Sequence, residues 1–229
     1  MRTVVLCGSL GAAAAMWEPQ MGALAGFDVV HVQHPGHGGT PRAEVADVAD
    51  LARLALDAVG AERFSWVGAS LGGAVGMRIA LDDPERIERL ALVCTSARFG
   101  APEAWRERAA VVRAEGLEAV VDAALARWFT PSFADVRRYR EMFLSTDAEA
   151  YARCCDALAR WDARDAVARI TAPTLVVSGT DDVAAPPDDG ELLASRIRGA
   201  RHAVVPGGRH LLGVERADEL NPLLLEHLR

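Results

Sequence analysis

Short apolar, β-branched runs alternate along this chain with longer stretches of helical periodicity, and that rhythm constrains the fold more than any other feature. The runs are Val4–Cys7, Val29–Val32, Phe64–Val67, Leu90–Cys94, Leu175–Ser178 and Ala203–Val205. Each is almost continuously apolar, as a strand covered on both faces must be. Helical periodicity occupies Val45–Val59, Gly72–Leu81 and Glu219–Leu228, with Pro84 closing the second. Strand, helix, strand in repetition builds an α/β protein around a mostly parallel sheet, here of about six strands.

The rhythm breaks between residues 101 and 165. That stretch holds no convincing strand but four helical windows: Glu103–Glu115, Leu117–Phe129, Asp135–Leu144 and Glu149–Trp161. Trp105, Trp128 and Trp161 lie in it. The expected organisation is a core made of residues 1–100 and 166–229, interrupted by a helical cap or lid over 101–165.

Composition excludes several chemistries. All 25 Lys+Arg residues are arginine, so no lysine exists for a Schiff base, a pyridoxal-phosphate anchor or a P-loop. With a formal net charge of −7 and no basic tract, the chain is not expected to bind nucleic acid. No apolar run nears the ~20 residues that span a bilayer, so no membrane partner is expected. The opening Met1–Gly8 is too short before its first glycine for a signal peptide, and cytoplasm is the expected location. The four cysteines (Cys7, Cys94, Cys154, Cys155) form no C-x-x-C pair; Cys7 and Cys94 read as reduced, buried thiols.

Chemistry enters at Gly68-Ala69-Ser70-Leu71-Gly72, between a strand and a helix. In this G-x-S-x-G elbow the turn is too tight for Cβ atoms at the glycines, and it lifts the serine hydroxyl above the sheet. Given 20 glycines and 8 serines in 229 residues, roughly 0.06 chance copies of the string are expected. A serine nucleophile needs a base, and the base needs an acid to orient it, here in the chain order serine, acid, histidine. His210, in a loop after the last strand, is the expected base; His202 opens a strand and His227 sits in the terminal helix. After the penultimate strand the chain reads Gly179-Thr180-Asp181-Asp182; Asp182 is preferred, with Asp181 as the alternative. The oxyanion calls for two backbone N–H donors, assigned to Leu71 and to Leu10 in the loop after the first strand. Pro35-Gly36-His37-Gly38-Gly39 reads as a structural turn rather than a phosphate cradle. The His31/His34/His37 group lacks carboxylate partners, so no metal is expected, and no cofactor.

These residues resemble the α/β-hydrolase fold over the whole chain, and within it the 3-oxoadipate enol-lactonase family of the β-ketoadipate pathway of aromatic compound catabolism. Ser9-Leu10-Gly11 with Met16-Trp17-Glu18-Pro19-Gln20, Arg127-Trp128-Phe129-Thr130-Pro131-Ser132-Phe133, Tyr151-Ala152-Arg153-Cys154-Cys155 and Gly179-Thr180-Asp181-Asp182 with Pro186-Pro187 are similar to its segments. Gln33 replaces the usual aspartate, and the family's N-terminal antiparallel hairpin is missing. In the usual strand order this leaves Val29–Val32 at an open edge, for which a second copy of the chain or a rearranged segment is the expected cover. The resemblance implies a serine hydrolase that opens an enol-lactone bearing an acetate arm, giving 3-oxoadipate. Without lysine, a side-chain cation for the arm is an arginine or a protonated histidine, and Arg127 beside Trp128 is the candidate. Two other readings use the same residues. One is a general carboxylesterase, another lactonase or a perhydrolase; the other is a non-catalytic binding protein on the hydrolase fold.

Overall fold

The computed structural model describes residues 1–229. In chain order the elements are β1 (Thr3–Cys7), the single turn α1 (Glu18–Met21), β2 (Asp28–Val32), α2 (Val48–Ala58), β3 (Phe64–Ala69), α3 (Leu71–Asp82) and β4 (Ile87–Val93). Four helices follow: α4 (Pro102–Glu115), α5 (Glu118–Trp128), α6 (Val136–Leu144) and α7 (Ala148–Arg160). The chain closes with β5 (Thr174–Gly179), α8 (Pro187–Arg196), β6 (Arg201–Val205), the short α9 (Leu212–Glu215) and α10 (Ala217–Leu228).

Every expected strand is present, and all pairings are parallel in the order β2-β1-β3-β4-β5-β6. The interior strands β3 and β5 are buried along their whole length, which is why their sequences carry no polar alternation. β2 ends the sheet on one side, and no strand of this chain pairs along its outer face. A rearranged strand of this chain is therefore not its cover. Helix α2 begins three residues later than its periodicity suggests, because the Asp47 side chain accepts the N–H groups of Ala49 and Asp50 (2.8 and 3.1 Å) and fixes the start there. No helix is long and apolar enough to cross a membrane.

The four helices between β4 and β5 pack on the C-terminal edge of the sheet. α7 buries Tyr151, Cys154, Cys155 and Leu158 and lies along α4. On their outer faces Arg113 bridges Glu149 and Asp156 at 3.0 and 2.9 Å. One continuous apolar cluster of 67 residues runs from the sheet into Trp128, Phe143 and Tyr151 of this insertion, so the two parts share a core. All four cysteines are buried and unpaired.

Candidate active site

The turn from β3 into α3 is built by two close approaches. A Cβ on Gly68 would lie 2.2 Å from the Gly72 carbonyl oxygen, and one on Gly72 would lie 2.2 Å from that of Cys7. Neither position tolerates any other residue. Ser70, between them, takes φ 52° and ψ −114°, a conformation that costs about 1–3 kcal/mol. It is held there by its own N–H donating to Val93 O (3.0 Å) and its carbonyl accepting from Thr95 Oγ1 (2.7 Å). The surrounding structure thus over-determines the strained residue.

Gly72 N–H donates to Gly8 O at 3.0 Å, joining the elbow to the loop after β1. Two histidines from the turn after β2 hold the same loop. His34 Nε2 meets Gly8 O at 2.9 Å and therefore carries a proton there. His37 Nε2 accepts from Gly11 N–H at 3.0 Å, while its Nδ1 donates to Pro35 O at 2.9 Å. Burial pushes both imidazoles down, His34 to about 4 and His37 to about 3, so both are neutral at pH 7. Leu10 N–H, between Ser9 and the His37-bound Gly11 N–H, has no protein acceptor. Leu71 is the first residue of α3, and its N–H is one of the groups a helix start leaves unpaired.

On the next loop, Asp182 Oδ2 accepts from His210 Nδ1 at 2.8 Å. Its Oδ1 accepts the N–H groups of Ala184 and Ala185 at 2.8 and 3.1 Å. Burial alone would push this carboxyl up; His210 and the two amides outweigh it and hold Asp182 below the usual carboxylate range. With Nδ1 committed to Asp182, the lone pair of the neutral ring is on Nε2. Asp181 points outward and accepts only from Thr180 Oγ1 (2.7 Å). The loop carrying His210 is tied to the end of α5: His210 N–H donates to Arg127 O (3.4 Å) and Leu211 N–H to Trp128 O (3.1 Å).

Ser70, His210 and Leu10 open onto one cavity of about 310 Å³, roofed by Trp105, Arg108, Arg127, Trp128 and Tyr151. Trp128 is buried among aromatic rings, 5.5 Å from the centroid of Phe143, while also forming part of the wall. The structure brings Ser70, Asp182, His210, Leu10, Arg127 and Trp128 together. Leu71 contributes backbone only, its side chain being buried in the core. The other histidines are held structurally: His202 by Ser178 Oγ (3.0 Å) and His227 by Leu90 O (3.0 Å). Arg108, Tyr151 and the supporting His34 and His37 were not legible as site residues.

The alpha/beta hydrolase fold model matches residues 2–217. The chain belongs to this family. It is 30% identical over 228 residues to 3-oxoadipate enol-lactonase 2 of Acinetobacter baylyi, covering 95% of this chain and 85% of that protein. It is 34% identical over 241 residues to "Putative carbamate hydrolase RutD" of Variovorax paradoxus, covering 98% and 91%. The crystal structure of the enol-lactonase from Burkholderia xenovorans LB400 superposes with a TM-score of 0.94 at 37% identity, covering 99% of this chain and 91% of that one. These relatives place the chain among the ester-hydrolysing enzymes of the alpha/beta hydrolase family.

Proposed function

We propose that this hydrolase opens 3-oxoadipate enol-lactone, or a close analogue, through an acyl-enzyme on Ser70. The observation that carries the reading is the His210–Asp182 hydrogen bond beside an elbow serine, in a cavity with arginine side chains in its wall. His210 Nε2 takes the Ser70 proton as Oγ attacks the lactone carbonyl, and Asp182 steadies the imidazolium that forms. The N–H groups of Leu10 and Leu71 receive the oxyanion. Collapse of the tetrahedral intermediate breaks the ring C–O bond and expels an enolate, which needs less protonation than an alkoxide and ketonises. Water, deprotonated by His210, then releases the acyl group as a carboxylate and restores Ser70. The helices of 101–165 act as the cover that excludes bulk water, and Arg127 receives the substrate's carboxylate arm.

The carbamate-hydrolase name carried by one relative keeps a second reading in view, since the same nucleophile attacks a carbamate carbonyl. The deciding assay offers enol-lactone, p-nitrophenyl acetate and an alkyl carbamate in parallel, with Ser70→Ala as the blank. The lactone should give the highest kcat/KM, and Ser70→Ala should lower its kcat by roughly 10⁴-fold or more. A preference for the simple ester marks a general esterase. Failure of Ser70 to react with a fluorophosphonate marks a binding protein instead.

A further inference from the structure

Two guanidinium groups face the same cavity, and neither has a counter-ion. Arg108 from α4 and Arg127 from α5 both line it, and no aspartate or glutamate is among the 15 lining residues. Neighbouring arginines are treated differently. On α4 itself, Arg106 pairs with Glu103 (3.1 Å), and Arg113 pairs with Glu149 and Asp156. The two cavity arginines form no ion pair with any carboxylate of the chain.

The pair is also placed at a cost. Half-burial, and then the charge of Arg108, push the Arg127 guanidinium below its ordinary value. Arg108 lies over the Trp105 ring, 4.6 Å from its centroid, which fixes one planar cation on the cavity wall. Tyr151, near enough to both guanidinium groups to feel their charge, cannot serve as the missing anion: burial pushes its phenol up, so it remains a neutral hydroxyl. Two like charges held together beside a neutral donor, in a protein whose net charge is −7, describe a socket for an anion. Arginine suits a carboxylate in particular, because its planar fork matches the two oxygens.

We propose that Arg108 joins Arg127 in a two-arginine clamp for a free carboxylate, and that the enzyme therefore also binds short dicarboxylates, including the product of its own reaction. This rests on the reading of Ser70 and His210 given above. Hydrolysis adds water across the acyl C–O bond and converts the ring ester into a second carboxylate. The product then carries one carboxylate for the clamp and one for the amide donors beside Ser70. Substrates lacking the acidic arm lose the clamp's contribution, and product accumulation slows turnover competitively.

The probe is adipate, followed by the fluorescence of Trp105 and Trp128, which line the cavity. Adipate should bind the wild-type enzyme, compete with substrate and weaken with added salt, while dimethyl adipate should not bind. Arg108→Gln should weaken adipate about 10- to 100-fold, the loss expected for a charge-assisted contact. Arg106→Gln, on the same helix but outside the cavity, should not. Arg108→Lys, which keeps the charge without the fork, should fall between them and stands in if the glutamine variant fails to fold. A second arm compares kcat/KM for monomethyl adipate and for dimethyl adipate, and the acid-to-neutral ratio should fall at least about tenfold in Arg108→Gln. Unchanged adipate affinity and an unchanged ratio in a folded Arg108→Gln overturn the clamp while leaving the hydrolase reading intact. Clamp-dependent adipate binding without Ser70-dependent hydrolysis of any ester overturns the hydrolase reading and leaves the clamp.

Discussion

The sheet and the helical insertion contribute to the cavity in different ways. From the sheet come Ser70, His210, Asp182 and the amides of Leu10 and Leu71, each at the end of a strand and each located by backbone hydrogen bonds or by contacts that admit only glycine. From the insertion come Trp105, Arg108, Arg127, Trp128 and Tyr151, whose positions are set by helix packing and side-chain conformation. The groups proposed to make and break bonds are thus held by covalent and hydrogen-bond geometry, and those proposed to sort substrates by packing. The first arrangement tolerates little change, whereas the second can be retuned one side chain at a time.

Substitutions on the two sides should separate in what they alter. The largest expected effect is on the sheet side. Asp182→Asn should lower kcat by about 10³–10⁴-fold with the fold intact, because the ring loses its fixed tautomer, as in the serine-protease precedent. Asp181→Asn should leave kcat within about threefold, its carboxylate being exposed and bonded to Thr180 Oγ1 rather than to His210. Comparable losses in both would erase the distinction drawn between the adjacent aspartates. On the insertion side, Phe143→Ala should cost about 3–5 kcal/mol in urea unfolding, since this ring is fully buried between Trp128 and Tyr151 at 5.5 and 5.2 Å. Any truncation there milder than about 1 kcal/mol would show the insertion to be loosely packed.

The smallest effect is graded in pH and returns to the sheet side. His34 and His37 are depressed to about 4 and about 3 in the folded protein, against about 6.5 unfolded. Between these limits the unfolded chain binds the extra protons, so their contribution is complete above about pH 6.5 and stability falls as the pH drops toward 4. Each histidine should add about 1.4 kcal/mol per pH unit to that fall. His37→Gln, which keeps an acceptor for Gly11 N–H, should reduce the slope by one such increment in urea titrations between about pH 6 and pH 4.5. An unchanged slope would show that His37 does not titrate on unfolding.

The fold was largely legible because buried parallel strands advertise themselves as unbroken apolar runs. The one sizeable helix not read is α8. Its opening Pro186-Pro187-Asp188-Asp189-Gly190 resembles a turn, yet proline suits a first helical turn, and Gly190 is required where a Cβ would lie 2.2 Å from Ser178 Oγ. Of the proposed catalytic residues, Ser70 was legible from a local string and His210 from chain order. Asp182 was preferred over Asp181 in the sequence, and the fold adds the direction each side chain takes, Asp182 toward His210 and Asp181 toward Thr180. Arg108 was not legible at all. It is one of 25 arginines, on a helix that buries only Ala109 and Val112, and only the packing of α4 along α7 turns it toward Ser70. His37 escaped for a related reason, since a glycine-flanked histidine in a turn gives no sign of the amide it will meet 26 residues away.

The two bonds from the His210 loop to the carbonyls of Arg127 and Trp128 bear on modularity. An insertion between two strands invites treatment as a cassette, to be excised for a minimal hydrolase or exchanged for another cap. Here the cassette supplies acceptors for the main chain that carries His210. Cutting it out strips His210 and Leu211 of those acceptors as well as uncovering the cavity. A graft that keeps His210 in register must bring two correctly placed carbonyls of its own, whatever side chains it offers to a new substrate.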